Sequence, residues 1–491
     1  MGIIVKQTIK GSIWSYVGVI IGFVTTTYLY TEYLTPDIVG LFGILIAYSN
    51  LTGRLAGLGF QGVTTRLFSY FRDKEKGHNG FLFIALVFHI IGFSLFLLLY
   101  FIFSPSLVDL NMDKSPLFAS YIYLLIPFTL ANLIFLFLDT FNKVLYDAVF
   151  GVFLQEFLQR ILIFSITLMF VFQLITIHQL ILGYAAVVSL KALIILVHLW
   201  RKGEINLKPD FSIVDSKMKK EILNYALFSL IGGFGSMIVF NIDKIFVNHL
   251  LGLENTGVYT IAFYFGALVA LPSRSLLKIS GTLIADAFKE FDINKIKEIY
   301  YKSSINQLII GGFLFIGIWS NIDNILIIVG EDYLASKWVI FFIGLGYLID
   351  MSTGANGIII NFSKYYWVSL LFTAILIVVV VALMYFFIPI WGITGAAIAI
   401  AASLLLNNLM RYLFLFWKFR MQPFNWRFIA AIAFYIAVYF LISLISQQKL
   451  VLDIILRGAI ITISSLLFFG LFPISEDSQK IVKKLMSKIK L

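Results

Sequence analysis

Eight basic side chains lie inside long apolar stretches of this 491-residue chain, where a charge is costly unless it faces water or a partner. They are Arg54, Arg160, Lys191, Lys244, Arg274, Lys278, Arg411 and Arg457. A guanidinium group presents parallel N–H donors that match the oxygens of a phosphate or a diphosphate. The chemistry that these residues first suggest is therefore anion binding.

Arg54 is the first candidate for such a site. Asn50 precedes it by four residues and Gln61 follows it by seven, spacings that place all three on one face of a single helix among several glycines. This polar stripe predicts a substrate-binding surface. The alternative is that the Arg54 side chain extends to the cytoplasmic surface, about two turns away.

Arg274 and Lys278 form a second basic stripe, one helical turn apart and preceded by Pro272, which frees a backbone carbonyl in the turn before it. We expect the stripes of Arg54 and of Arg274 with Lys278 to face each other across a cleft. They would then bind an anion between them.

Asn241, Lys244 and Asn248 share one helical face, with Asp243 beside them. Asn241 and Lys244 are candidates for lining a polar cavity that binds sugar hydroxyls, although Asp243 and Lys244 could equally form a structural pair.

Lys191 and Asp350 lie near the middle of apolar stretches. Lys191 is a candidate substrate contact. Asp350 is a candidate for coupling transport to protons, or else it neutralises a nearby cation. Glu156 and Arg160 have the spacing of an intrahelical ion pair, which is the interpretation we favour for them.

The apolar stretches that carry these residues are long enough to cross a bilayer of about 30 Å and lack the short alternation of barrel strands. They predict an all-α polytopic membrane protein with fourteen transmembrane helices. The predicted spans are 11–33, 38–60, 81–103, 117–139, 150–172, 179–200, 222–248, 256–279, 303–328, 338–361, 366–388, 392–416, 426–446 and 451–472.

Composition agrees, since 60% of residues are hydrophobic and only 13% are charged. Most Lys and Arg residues fall in segments on one side if the amino terminus is cytoplasmic, which predicts that both termini are cytoplasmic. The net charge of +11 then reflects topology, and we expect no nucleic-acid partner because no soluble face is long enough to display it.

The chain also repeats itself. A shift of 217 positions aligns YLTPDIVGLFGI, from Tyr33 to Ile44, with LLGLENTGVYTI, from Leu250 to Ile261, and Trp200 with Trp417. The shift spans an even number of helices, so both copies enter the membrane from the same side, as in carriers with two parallel repeats.

The repeat divides the chain into four parts. These are an amino-terminal lobe of six helices (1–210), a carboxyl-terminal lobe of six helices (211–418), two further helices (419–473) and a basic amphipathic tail (474–491) suited to the surface of anionic lipid.

The opening KQTIKGSIWSYVG, the turn YLTPDIVGLFGI, the segment RLAGLGFQGVTTRLFSYF and the arrangement of two six-helix repeats plus two helices resemble the polysaccharide transporter family. That family includes Wzx-type O-antigen and oligosaccharide flippases of the multidrug/oligosaccharidyl-lipid/polysaccharide exporter superfamily. The likeness covers nearly the whole chain, but its motifs are loose.

The resemblance implies a flippase in the bacterial inner membrane that carries a lipid-diphosphate-linked oligosaccharide, with membrane lipids around it and a polysaccharide polymerase or ligase as a further partner. A drug or organic-cation exporter of the same superfamily is the nearest alternative, although its cavity should be acidic. A membrane enzyme of polysaccharide assembly is the other alternative.

No catalytic, cofactor or metal site is expected. Gly57, Gly59 and Gly62 match a dinucleotide fingerprint but follow a membrane helix rather than a strand. There is no phosphate loop, no cysteine, and no HExxH spacing among the five histidines.

Overall fold

The computed structural model describes residues 3–480, except that the side chains of residues 3–6, 8–9 and 234–240 are outside the description. Every regular element within this range is a helix, so the all-α prediction is confirmed. Most of the amphipathic tail predicted for 474–491 lies outside the described residues.

Within the part of the chain that the structure describes, eleven helices are long and apolar enough to cross a membrane, or twelve if the bent pair Leu253–Ala270 and Ser273–Lys289 is one span. The helix Tyr366–Phe419 has 54 residues and leaves helical geometry at Gly392, where φ is 57° and ψ is −138°. At about 1.5 Å per residue it is far longer than one crossing requires, so it contains two spans. The total of fourteen spans stays a prediction.

Contacts between Cα atoms divide the chain into two units, 1–257 and 258–491. The helices of the first unit are α1 (Ile3–Val24), α2 (Tyr30–Tyr33), α3 (Pro36–Ala56), α4 (Phe60–Phe71), α5 (Phe81–Met112), α6 (Pro116–Tyr121), α7 (Leu125–Val144), α8 (Ala148–Val152), α9 (Gln159–Val171), α10 (Ile177–Arg201) and α11 (Ser216–Leu251). Two π-helical segments, Thr25–Leu29 and Phe153–Leu158, follow α1 and α8.

In the first unit, α3 and α4 pack against α7 on one side and α11 on the other, and α10 packs against α7 and α9. Aromatic rings fill the end of this bundle where α4, α5 and α7 meet, with Phe60, Phe68, Phe81 and Phe141 at most 1% exposed. Such rings bury large apolar areas and hold the helix ends in fixed positions. The predicted lobe boundary at residue 210 stays a prediction.

The second unit contains most of α12 (Leu253–Ala267), followed by α13 (Ser273–Lys289), α14 (Ile293–Ser320), α15 (Ile322–Val329), α16 (Lys337–Ser352), α17 (Asn356–Phe362), α18 (Tyr366–Phe419), α19 (Trp426–Ser443) and α20 (Leu450–Leu471). Here α16 packs against α14 and α18, while α19 and α20 pack against α14. Close approach is possible because small residues line these contacts: a Cβ atom on Gly346 would lie 3.0 Å from the Ala401 Cα.

Candidate anion-binding site

Arg54 lies in the last turn of α3, half-buried against α11. A Cβ atom placed on Gly233 of α11 would lie only 2.9 Å from its Nη1 atom, so the absence of a side chain at Gly233 makes room for the guanidinium group. The Arg54 Nε atom is buried and has no hydrogen-bond partner. No acidic side chain among the described residues pairs with Arg54, which therefore retains its capacity to bind an anion.

One turn along α3, a ladder of amide side chains joins three helices. Asn50 Nδ2 donates to Asn241 Oδ1 of α11 at 3.2 Å, and Asn132 Nδ2 of α7 donates to Asn50 Oδ1 at 3.2 Å and to the Ser49 carbonyl at 3.0 Å. The structure thus brings together Asn50, Asn241 and Arg54, all predicted as site residues. A hydroxyl-bearing ligand at Asn50 or Asn241 would have to replace an existing hydrogen bond.

Gln61 is not on the same continuous helix as Arg54, contrary to the face that its spacing predicted. The chain leaves helical geometry between α3 and α4, with Leu58 at φ 46° and Gly59 at φ 73°. The reason is packing: a Cβ atom on Gly59 would lie 1.9 Å from the Ala226 carbonyl of α11, so only glycine allows this approach. Gln61 is instead the second residue of α4, half-buried in its first turn.

Further along α11, Asp243 and Lys244 are both buried, and the Lys244 backbone N–H donates to Asp243 Oδ1 at 2.9 Å. Asn248, on the same face, donates to Asn111 Oδ1 at 2.8 Å and accepts from Ser115 Oγ at 2.9 Å. This end of α11 is therefore tied by hydrogen bonds to Asn111 of α5 and to Ser115, the residue before α6.

Lys191 lies in α10, where its Nζ atom is 4.8 Å from the centre of the Phe135 ring of α7. Within the described residues it forms neither a hydrogen bond nor an ion pair. Arg160 differs, because its Nη2 atom donates to Glu156 Oε2 at 2.7 Å and Nη1 donates to the Gly18 carbonyl at 3.1 Å. The Glu156–Arg160 ion pair predicted from spacing is present.

Arg274 and Lys278 lie in the first two turns of α13, which begins after a break that follows α12. Both side chains are exposed. Neither has an acidic partner in the described part of the chain. The two cations thus remain one turn apart on one helix, as the sequence predicted.

Asp350 of α16 has a partner that its sequence neighbours did not reveal. Its Oδ1 atom accepts a hydrogen bond from Asn408 Nδ2 of α18 at 2.8 Å. Asn408 Oδ1 in turn accepts from Thr353 Oγ1 at 2.7 Å and Asn356 Nδ2 at 2.8 Å. Arg411, one turn beyond Asn408, is within electrostatic reach of Asp350.

Seven of the eight intramembrane cations, all but Lys244, fall into two classes. Arg160 and Arg457 form ion pairs with acids four residues away on their own helices, Glu156 and Asp453. Arg54, Lys191, Arg274, Lys278 and Arg411 form none within the described residues. An excess of positive charge is therefore available for a negatively charged ligand.

Two residues of these networks, Asn132 and Asn408, were not predicted from the sequence. The signal that could have found them is an amide inside an apolar span, since such a group needs a hydrogen-bond partner in lipid. No group of three His, Asp or Glu side chains among the described residues could hold a metal ion.

Comparisons with known proteins concern the family and the fold of the chain. A family model described as "Polysaccharide biosynthesis protein" matches residues 4–284, more than half of the chain. No curated protein is a significant sequence match.

Several solved structures share the fold. One is "Lipid II flippase MurJ, inward closed conformation", with a TM-score of 0.73 at 17% identity, covering 94% of this chain and 99% of that one. A multidrug resistance MATE family transporter of the MOP superfamily, in an inward-facing conformation, has a TM-score of 0.61 at 16% identity and covers 87% and 99%. At such identities the likeness concerns the fold.

Proposed function

The chain belongs to the polysaccharide biosynthesis protein family, and from that premise we propose that it is a flippase for a lipid-diphosphate-linked oligosaccharide, an O-antigen or capsule repeat unit. It would operate by alternating access in the bacterial inner membrane, with both termini cytoplasmic. No covalent step is part of the proposal. The lipid tail stays in the bilayer while the polar headgroup crosses.

Arg54, Arg274 and Lys278 bind the diphosphate in this proposal. The observation that carries it is that all three lie in the predicted spans 38–60 and 256–279 and have no acidic partner among the described residues. A membrane cation without a partner is costly, and that cost is recovered when a diphosphate binds.

The remaining predicted residues contact the sugar. Asn50, Gln61 and Asn241 offer amide groups for hydroxyls, while Lys191 and Lys244 offer ammonium groups for acidic or hydroxyl substituents. Asp350 is the coupling candidate, and its Oδ1 atom accepts a hydrogen bond from Asn408 Nδ2 at 2.8 Å.

The test is leaflet exchange by the purified chain reconstituted with a fluorescent undecaprenyl-diphosphate sugar. Loss of one charged hydrogen-bonding group costs about 1.5 to 3 kcal/mol, so Arg54→Ala and Arg274→Ala should each slow flipping by about tenfold or more. The flipping rate of Arg54→Lys should lie between those of Arg54→Ala and the parent chain, because lysine keeps the charge and loses the bidentate geometry.

Lys449→Ala is the matched control, since Lys449 is exposed in the turn before α20. Flipping at the parent rate by both arginine variants would refute the assignment. Export of an organic cation, with no exchange of the lipid-linked sugar, would instead support the multidrug class of function.

A further inference from the structure

A second basic cluster lies where the turn between α17 and α18 meets the carboxyl-terminal end of α18. Lys364 Nζ is 5.3 Å and Lys418 Nζ is 5.0 Å from the centre of the Tyr365 ring. Arg420 follows Lys418 by two residues and is also exposed. The cluster lies on the membrane face that loop charge predicts to be cytoplasmic.

The position of Tyr365 is well defined. Its ring makes edge contacts with Phe414 and Phe419, each with ring centres 5.8 Å apart. Its backbone N–H donates to Ser363 Oγ at 3.0 Å, and Ser363 Oγ donates to the Ile360 carbonyl at 2.8 Å. The Tyr365 hydroxyl and the Lys364 ammonium group are therefore presented by an ordered turn, and the Lys418 ammonium group comes from the last turn of α18.

The cluster contains no anion of its own. Within the described residues, Lys364, Lys418 and Arg420 form no ion pair. Hydrogen bonding to Lys418, together with the nearby charge of Lys364, lowers the pKa of Tyr365. Two ammonium groups beside one hydroxyl repel each other, and an external anion would relieve that repulsion.

The position in the first unit that aligns with Lys364 carries an acid instead of a base. The shift that aligns Trp200 with Trp417 also aligns Asp147 with Lys364, since 364 − 147 = 217. Asp147 accepts from Lys202 Nζ at 2.6 Å and from His198 Nε2 at 3.1 Å, so the first unit has an internal carboxylate at this turn. The second unit has a lysine in its place.

Exposed aromatic residues surround the basic cluster. Phe362, Tyr366, Trp367 and Trp417 are each more than half exposed. The amphipathic rings of Tyr and Trp occupy the headgroup level of a bilayer, so an anion reaching the lysines comes from the membrane surface.

We propose that Lys364, Tyr365 and Lys418 form a binding site for the phosphate of an anionic phospholipid. The ammonium groups neutralise the phosphate, the hydroxyl donates a hydrogen bond, and the surrounding Tyr and Trp rings lie at the headgroup level. The site contains none of the residues Arg54, Arg274 and Lys278, and it does not depend on the flippase proposal.

The test uses the full-length chain in detergent with 3-fluorotyrosine at position 365, titrated with short-chain phosphatidylglycerol. The fluorine resonance should shift saturably. Lys364→Asp, which copies the acid at the aligned position 147, should weaken binding by about tenfold or more, as should Lys418→Gln. Lys449→Gln should bind as the parent chain does.

Two further titrations identify the source of the phosphate. Zwitterionic phosphatidylcholine and inorganic phosphate should both bind at least about tenfold more weakly than phosphatidylglycerol. The proposal is overturned if Lys364→Asp and Lys418→Gln retain parental affinity, or if inorganic phosphate binds as tightly as the lipid.

Discussion

At the scale of single residues, the burial of an ion pair decides how much it contributes to the free energy of unfolding. Asp453 is 1% exposed and accepts hydrogen bonds from Arg457 Nε at 2.6 Å and Asn324 Nδ2 at 2.7 Å. Asp323 is exposed and pairs with Lys337 on the surface. Removing one member of a buried pair leaves a charge without compensation, whereas an exposed pair is screened by solvent.

Asp453→Ala should therefore lower the free energy of unfolding by about 3 kcal/mol, because Arg457 and Asn324 lose their acceptor. Asp323→Ala is the matched control and should cost less than about 1 kcal/mol. Thermal unfolding of the purified variants measures both. Equal losses would contradict the argument.

Asp147 predicts a dependence of stability on pH. Burial raises the pKa of Asp147, but hydrogen bonds from Lys202 and His198 lower that pKa by a larger amount. The net shift is therefore downward from 3.8. The stabilisation is present above the unfolded pKa and is lost as pH falls through the folded one. The difference in unfolding temperature between the parent chain and Asp147→Asn should thus shrink as pH falls from about 5 toward 3.

If the difference in unfolding temperature between Asp147→Asn and the parent chain stayed constant over that pH range, the charge of the carboxylate would not contribute to stability. Asp323→Asn serves as a control whose effect should be small throughout.

At the scale of elements, the contact of α3 and α4 with α11 depends on glycines. A Cβ atom on Gly62 would lie 2.3 Å from the Ser229 Cβ and 3.2 Å from the Tyr225 carbonyl. Because glycine has no side chain, the backbones of α4 and α11 approach each other closely here, and no space remains for an added methyl group. The same approach places Arg54 against Gly233.

Gly62→Ala should destabilise the chain by about 1 to 3 kcal/mol through overpacking against Ser229. Ser229→Gly removes the opposing Cβ, so the double variant should recover much of the loss. Unfolding measurements on the four members of this cycle give the coupling. Gly317→Ala is the control, since no atom lies within 4 Å of a Cβ there; additive effects in the cycle would argue against direct packing.

At the scale of the whole molecule, loop charge predicts the orientation in the membrane. The linker from Arg201 to Asp215 is held at the predicted cytoplasmic side by Glu204, which accepts from Lys74 at 2.8 Å and His78 at 2.9 Å. The turn between α19 and α20 lies on the opposite side in that prediction.

The absence of cysteine makes this orientation directly measurable. Ser212→Cys should react with a membrane-impermeant maleimide only after the cytoplasmic side is exposed, and Ser446→Cys should react from outside intact cells. Both positions are exposed in the structure. The reverse pattern of labelling would invert the topology.

The amino-acid sequence was sufficient for much of the architecture. Uninterrupted apolar runs can satisfy their backbone groups in lipid only as helices, so the all-α membrane fold follows from composition and length. The spacing of Glu156 and Arg160 was likewise enough to predict their pairing, because residues four apart are neighbours on one face of a helix. The same spacing of Asp453 and Arg457 could have been used in the same way.

The tertiary structure alone decided which cations remain unpaired and where helices break. Asp350 meets Asn408, and Asn50 meets Asn132 and Asn241, through contacts between residues far apart in sequence. The sequence of an apolar span does not indicate which of its faces packs against protein, because lipid is as apolar as a neighbouring helix. The break at Gly59, which separates Gln61 from Arg54, arises from the approach of α11, so it too depended on the packing of distant segments.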